Sequence, residues 1–202
     1  MNREFYDRHV LEVARDLVGC VIRHGDTAGR IVETEAYHEE EAACHAYVGL
    51  TGRTKPLFGP PGVAYVYRSY GIHALLNAVC SPEGEGAAVL IRALEPIDGI
   101  EVMRARRRVA RDVDLCNGPG KLTQALGIGL LLNESSLVGD GPIKVEGRAD
   151  GSEPRLVAGE RIGITRAVEL PWRFCDADRA HWISAPRPPE LRRRPRRAAA
   201  LS

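Results

Sequence analysis

The sequence predicts a single-domain α+β fold with a projecting β-hairpin, and three observations carry that prediction. Apolar residues recur at helical spacing over residues 10–18, and residues 31–37 then alternate with the period of a strand. Two β-prone segments flank Tyr70-Gly71, marking a hairpin. A nearly continuous apolar run at residues 87–94 reads as a buried strand. At 202 residues the chain can bury one sizeable core, and it shows no internal repeat.

The first element is a helix whose stripe is Val10, Leu11, Val13, Ala14, Leu17 and Val18, with Gly19 as its left-handed stop. In the strand that follows, Val32, Thr34 and Ala36 share one face, and Glu33, Glu35 and Tyr37 share the other. Residues 38–62 are polar and end in Gly59-Pro60-Pro61-Gly62. An ordered loop of that length in a compact domain is more often functional than idle. Residues 63–67 and 72–79 form the hairpin strands, residues 100–110 a helix with a basic exposed face. Asn117-Gly118-Pro119-Gly120 opens a short helix that Gly127 closes. Residues 139–159 read as loop, and residues 162–164 and 172–174 as late strands. The domain is expected to span residues 1–186, followed by a disordered Arg- and Pro-rich tail at 187–202.

Charged residues make up 27% of the chain and the net charge is +1, a balance that neither demands nor excludes a nucleic-acid partner, because distribution decides that. No apolar run approaches the roughly 18 residues of a membrane span, and residues 1–5 lack a signal-peptide core. No membrane partner is expected; the expected location is the cytoplasm and nucleoid of a bacterium, or the nucleus of a eukaryote. The five cysteines are scattered and form no C-x-x-C pair, which argues against a disulfide framework or a zinc site. Cys44-His45 with His73 and Cys80 is a weaker metal reading than core thiols and isolated histidines, so neither metal nor cofactor is expected.

Arg92 is the most informative anomaly. It interrupts an apolar strand on the face of Ala88, Leu90 and Leu94, where a charge is costly without an anionic partner. Periodicity alone favours a structural ion pair or an edge strand. Glu33 and Glu35 read first as a solvated face; facing a pocket, Glu35 would be pushed up by desolvation and down by a nearby arginine. Such a balance leaves a carboxylate able to take a proton from water. Tyr65, Tyr67 and Tyr70 cluster on the hairpin, either as core or as exposed rings suited to stacking on bases. Arginines crowd residues 104–111 and 192–197, and Arg53 and Lys55 sit in the long loop, so a polyanion-facing side competes with an ordinary solvated one. Lys121 lacks the G-x-x-x-x-G-K-[ST] spacing of a nucleotide loop; the helix start there can instead receive a DNA phosphate.

Together these segments resemble the alkyladenine (3-methyladenine) DNA glycosylase family. The resemblance is carried by residues 30–37 (RIVETEAY), 41–45 (EAACH), 58–62 (FGPPG) running into 65–71 (YVYRSYG), 89–96 (VLIRALEP), 115–122 (LCNGPGKL), 161–164 (RIGI) and 171–174 (PWRF). It spans about Phe5 to Trp182, in family order.

The resemblance implies a central, mostly antiparallel sheet with flanking helices and a hairpin that enters the DNA minor groove. It implies a monofunctional hydrolase that flips damaged purines such as 3-methyladenine and hypoxanthine and cuts their N-glycosidic bond. Glu35 matches the general base and Arg92 the arginine that helps hold the attacking water. Tyr37, His45 and Tyr67 match the residues around the flipped base, Tyr70 the wedge, and Asn77 the residue that crowds guanine's 2-amino group. Arg53, Lys55 and Lys121 are candidate DNA-backbone contacts. The implied partner is damaged double-stranded DNA, bound by a monomer. The rival readings are a non-catalytic damage-binding protein on the same scaffold, and a tRNA- or formyl-group enzyme, for which no folate or aminoacyl motif is present.

Overall fold

The computed structural model describes residues 1–148 and 153–192. The short helix α1 (Arg3–Tyr6) is capped by the Asn2 side chain, which accepts from the Phe5 amide. Helix α2 (Val10–Leu17) buries Val10, Val13, Ala14 and Leu17, and Gly19 at φ +91° turns the chain out of it. Each valine and Leu17 contributes roughly 1.5–3 kcal/mol by leaving water, and Leu17→Ala would cost about 2–5 kcal/mol.

The strands are β1 (Val21–His24), β2 (Thr27–His38), β3 (Ala64–Ser69), β4 (His73–Val79), β5 (Ala87–Asp98), β6 (Ile143–Glu146), β7 (Leu156–Gly159) and β8 (Arg173–Asp176). They form one sheet in the order β3-β4-β5-β2-β1-β6, with β8 pairing β2 and β7 pairing β8. Every pairing is antiparallel. The fold is thus α+β on an antiparallel sheet, as the sequence predicts. Strand β2 is its axis: β5 runs along one edge, while β1 takes the first part of the other edge and β8 the part around Glu33–Glu35.

Helices α2, α3 (Ile100–Arg107) and α4 (Pro119–Leu126) cover one face and bury Met103, Leu122, Ala125 and Leu126 with the sheet. The opposite face carries two small clusters, one around Leu57, Tyr65 and Val79, the other around Val32, Ala93, Cys175 and Ile183. Tyr37 and Tyr67 pack against the first of these clusters.

Several local readings change. Val32 does not share a face with Thr34 and Ala36: a bulge between Ile31 and Glu33 inserts it, and it packs with Ala93 and Cys175. A second irregularity, between Glu33 and Thr34, leaves Arg92 as the extra residue of β5 and puts Leu94 in the helix-covered core, off the face of Arg92. Residues 139–159, read as loop, hold β6 and β7; four-residue strands, with two buried positions in β6 and none in β7, are too short to establish a period. Residues 162–164 are not a strand, and α3 ends at Arg107 because Arg108 turns left-handed at φ +54°.

The hairpin turns through Tyr70 (φ +49°) and Gly71 (φ +74°), closed by the Ile72 amide on the Ser69 carbonyl at 3.2 Å. Two positive φ values are the turn geometry that matches strand twist. Tyr70 at the tip is 87% exposed. Of the tail expected from Arg187, residues 187–192 include the 3-10 turn Pro189–Leu191, and the remainder lies outside the described residues. No helix among the described residues is long and apolar enough to cross a membrane.

Candidate active site

Four charged side chains meet beneath the second face. Glu33 and Glu35 come from β2, Arg92 from β5 and Arg173 from β8, and all are at most 6% exposed. Arg92 Nε donates to Glu33 at 3.0 Å and its Nη1 to Glu35 Oε2 at 3.1 Å. Arg173 Nε donates to Glu33 at 2.7 Å. The quartet is neutral, two carboxylates against two guanidiniums. An isolated buried ion would cost several kcal/mol, so none of the four is stable there without the others. The out-of-place charge at Arg92 is thereby accounted for.

The two carboxylates are not equivalent. Glu33 also accepts from the Ser184 amide at 2.7 Å and the Ser184 hydroxyl at 2.8 Å, so protein donors surround it. Glu35 accepts from the Tyr37 hydroxyl at 2.8 Å, from Arg92, and from the Ile162 amide at 2.7 Å. Tyr37, Arg92 and Ile162 all line a cleft of about 670 Å³, within the size range of small-ligand sites. Glu35 therefore stands directly behind the cleft floor, held by groups that form it.

Burial pushes the Glu35 carboxyl above its ordinary range; the Arg92 guanidinium, the Ile162 amide and the Tyr37 hydroxyl oppose that push, while Glu33 adds to it. Burial works against the Arg92 cation, and Glu35 and Glu33 more than offset it. Burial and the neighbouring Glu35 raise the Tyr37 hydroxyl well above its usual value, which keeps it a donor.

Aromatic side chains form the cleft wall. His45 meets Tyr67 edge-on at 4.7 Å between centroids, and Tyr67 stacks on Tyr65 at 5.3 Å. Burial, aided by Arg53, lowers the His45 pKa, which favours its neutral form. Burial lifts Tyr67 to about 12. Asn77 lines the same cleft and donates to the Tyr65 carbonyl at 3.0 Å. Tyr37, His45, Tyr67, Asn77 and Arg92 thus come together, and Tyr70 and Arg53 stand with them. Lys55 and Lys121 are exposed outside the cleft lining, with Lys121 Nζ on Asn117 Oδ1 at 2.7 Å.

Most arginines of the basic helix face and the turn after it find partners within the chain. Arg104 pairs with Glu101 and Asp112, Arg111 pairs with Asp114, and Arg106 and Arg107 reach the Ala125 and Leu115 carbonyls. The chain folds its own acids and carbonyls back onto these cations. Sequence reasoning also missed Arg173, Ser184, Glu41 and Arg161, whose partners are remote in the chain and leave no local pattern.

A paired, desolvated carboxylate beneath stacked aromatics, with an exposed tyrosine at the rim, suits chemistry on a bond beside a flat ring. The family model described as Methylpurine-DNA glycosylase (MPG) matches residues 4–180, and the chain belongs to that family. It is a DNA glycosylase, a hydrolase of N-glycosyl bonds. A protein of Rhodopseudomonas palustris is 50% identical over 188 residues, covering 93% of this chain and 89% of its own length. One of Bradyrhizobium diazoefficiens is 53% identical over 174 residues, 86% of each chain. One of Methanoculleus marisnigri is 50% identical over 176 residues, 84% of this chain and 91% of its own. All three carry the name "Putative 3-methyladenine DNA glycosylase".

Proposed function

We propose that the protein is a monofunctional glycosylase that takes an alkylated or deaminated purine out of duplex DNA into the 670 Å³ cleft and hydrolyses its glycosidic bond, with Glu35 as base. The observation that carries this reading is the Glu35–Arg92 pair held at 3.1 Å behind a floor of Tyr37, Arg92 and Ile162. The sugar C1′ is unreachable in the stack, so the nucleotide must leave it at a cost of a few kcal/mol. Tyr70, exposed on the hairpin, is suited to fill the gap. Tyr37, His45 and Tyr67 offer faces and edges to the base, and stacking of this kind is worth about 1–3 kcal/mol per base.

A water taken up by the Glu35 carboxylate beside Arg92 loses its proton to that carboxylate as its oxygen bonds C1′. The electrons of the C1′–N bond leave with the base. For 3-methyladenine the base starts cationic and departs neutral, so no second acid is required. Glu35 also stabilises the positive charge that develops on the sugar. None of the chain's three lysines lines the cleft, which supports hydrolysis without a covalent imine.

Base release from duplexes containing 3-methyladenine or hypoxanthine tests the proposal. Glu35→Gln should bind such DNA and not release the base; normal release by that variant would overturn the mechanism. Borohydride trapping of an enzyme–DNA adduct would overturn the monofunctional assignment.

A further inference from the structure

We infer that Arg161 is a positioning residue of the glycosylase: through one guanidinium it fixes the Ile162 amide on Glu35 and braces the ring of Tyr37. This rests on the assignment of Glu35 as the base.

Arg161 is wholly buried, and it forms a two-pronged pair with Glu41 at 2.7 and 2.9 Å. It donates also to the Ala36 carbonyl at 2.8 Å and the Ala167 carbonyl at 3.2 Å. Its guanidinium carbon lies 4.7 Å from the Tyr37 ring centroid and 5.4 Å from that of Trp172. One side chain therefore ties together the end of β2, the loop that leads to His45, and the segment 161–167 that forms the facing cleft wall. Glu41 extends the tie, since its Oε2 also accepts from the Ala43 amide at 2.8 Å, two residues before His45.

The next residue carries the consequence. Ile162 has no side-chain donor, yet its amide is the one backbone hydrogen bond given to Glu35, at 2.7 Å. That amide is aimed by the backbone, and the backbone is aimed by Arg161. A flexible ammonium cannot reproduce the geometry, because a lysine offers no planar fork to match a carboxylate and two carbonyls at once. The same guanidinium lies against Tyr37, whose hydroxyl is the other uncharged donor to Glu35.

The groups facing Glu35 are Glu33 and Tyr37 from β2, Arg92 from β5, Tyr67 from β3, Arg173 and Cys175 from β8, and the Ile162 amide. Loss of Arg161 leaves the charged members of this set in place. Its effect on Glu35 is confined to the amide and the tyrosine.

The test is the pH profile of single-turnover base release from 3-methyladenine duplex for wild type, Glu35→Gln, Arg161→Lys and the double variant Arg161→Met/Glu41→Leu. The double variant removes both charges and so leaves no buried ion unpaired, where Arg161→Lys leaves Glu41 badly paired; thermal melts identify which proteins are folded. The expected result is an acidic limb displaced to higher pH in the folded Arg161 variants. With it goes a loss at neutral pH on the order of tenfold, the worth of one hydrogen bond to a charged group. A folded Arg161 variant with the wild-type limb and rate, alongside an inactive Glu35→Gln, overturns the inference and leaves the base assignment standing. Normal release by Glu35→Gln overturns the base assignment itself.

Discussion

Removing Arg92 while keeping its bulk, as in Arg92→Met, should produce a stability loss that grows with pH. The substitution leaves Glu33 with Arg173 and Ser184, and Glu35 with only the Tyr37 hydroxyl and the Ile162 amide. The buried quartet then carries one uncompensated negative charge. Breaking a buried pair from one side costs about 3–5 kcal/mol. At roughly 2–4 °C per kcal/mol for a chain of this length, the melting temperature near neutral pH should fall by about 6–20 °C. The sign of the pH dependence follows from Glu35. Its folded pKa already lies above the ordinary 4.5, and Arg92 is the strongest influence opposing that rise, so its loss drives the carboxyl further up. Stability from a raised carboxyl is fully present below the unfolded value and is lost as pH rises through the folded one. The gap between wild type and variant should therefore be smallest near pH 4.5 and widest at about pH 8. Thermal melts followed by circular dichroism across that range measure it. A gap independent of pH, or one that narrows as pH rises, would falsify the account of the quartet.

Tyr70→Ala touches an exposed hairpin tip, so its melting temperature should match wild type, while binding to lesion-containing duplex weakens by about 1–3 kcal/mol; equal affinity in a titration of both proteins counts against the wedge. Arg53→Ala should lower the slope of log affinity against log salt by about one, and Arg104→Ala, already paired with Glu101 and Asp112, should leave the slope alone. The reverse pattern would mean that the basic face of α3 meets the DNA. Asn77→Ser shortens a side chain that lines the cleft, and should raise release of 7-methylguanine relative to 3-methyladenine in a base-release panel; an unchanged ratio removes Asn77 from purine selection.

How much of this was legible in sequence depends on the distance over which each feature is decided. Helix α2 is periodic in itself, strand β2 alternates only from Glu33 on, past the bulge at Val32, and the hairpin announces itself through Tyr70-Gly71. Strands β6 and β7 are four residues each and are defined by the edges they join, which local pattern cannot supply. The arginines of α3 show the same limit in charge: the run is visible, but Asp112, Asp114 and the Ala125 carbonyl that absorb it come from the following turns.

Glu33 and Glu35 make the sharpest case. In sequence they are interchangeable, two acids on one strand face beside a tyrosine. What separates them is Ser184, 151 residues away from Glu33, and Arg173 on β8, whose three donors join Arg92 to give Glu33 four. Glu35 receives one remote backbone amide, while its other two donors, Tyr37 and Arg92, are themselves cleft walls. A carboxylate saturated by protein has no site left for water, and one held by groups that face a cleft can exchange a donor for it. The misfit of Arg92 in an apolar strand pointed to a carboxylate partner, but only the packing of β8 and the segment around Ser184 against β2 decides which of the two is saturated by buried donors and which is held by the cleft walls.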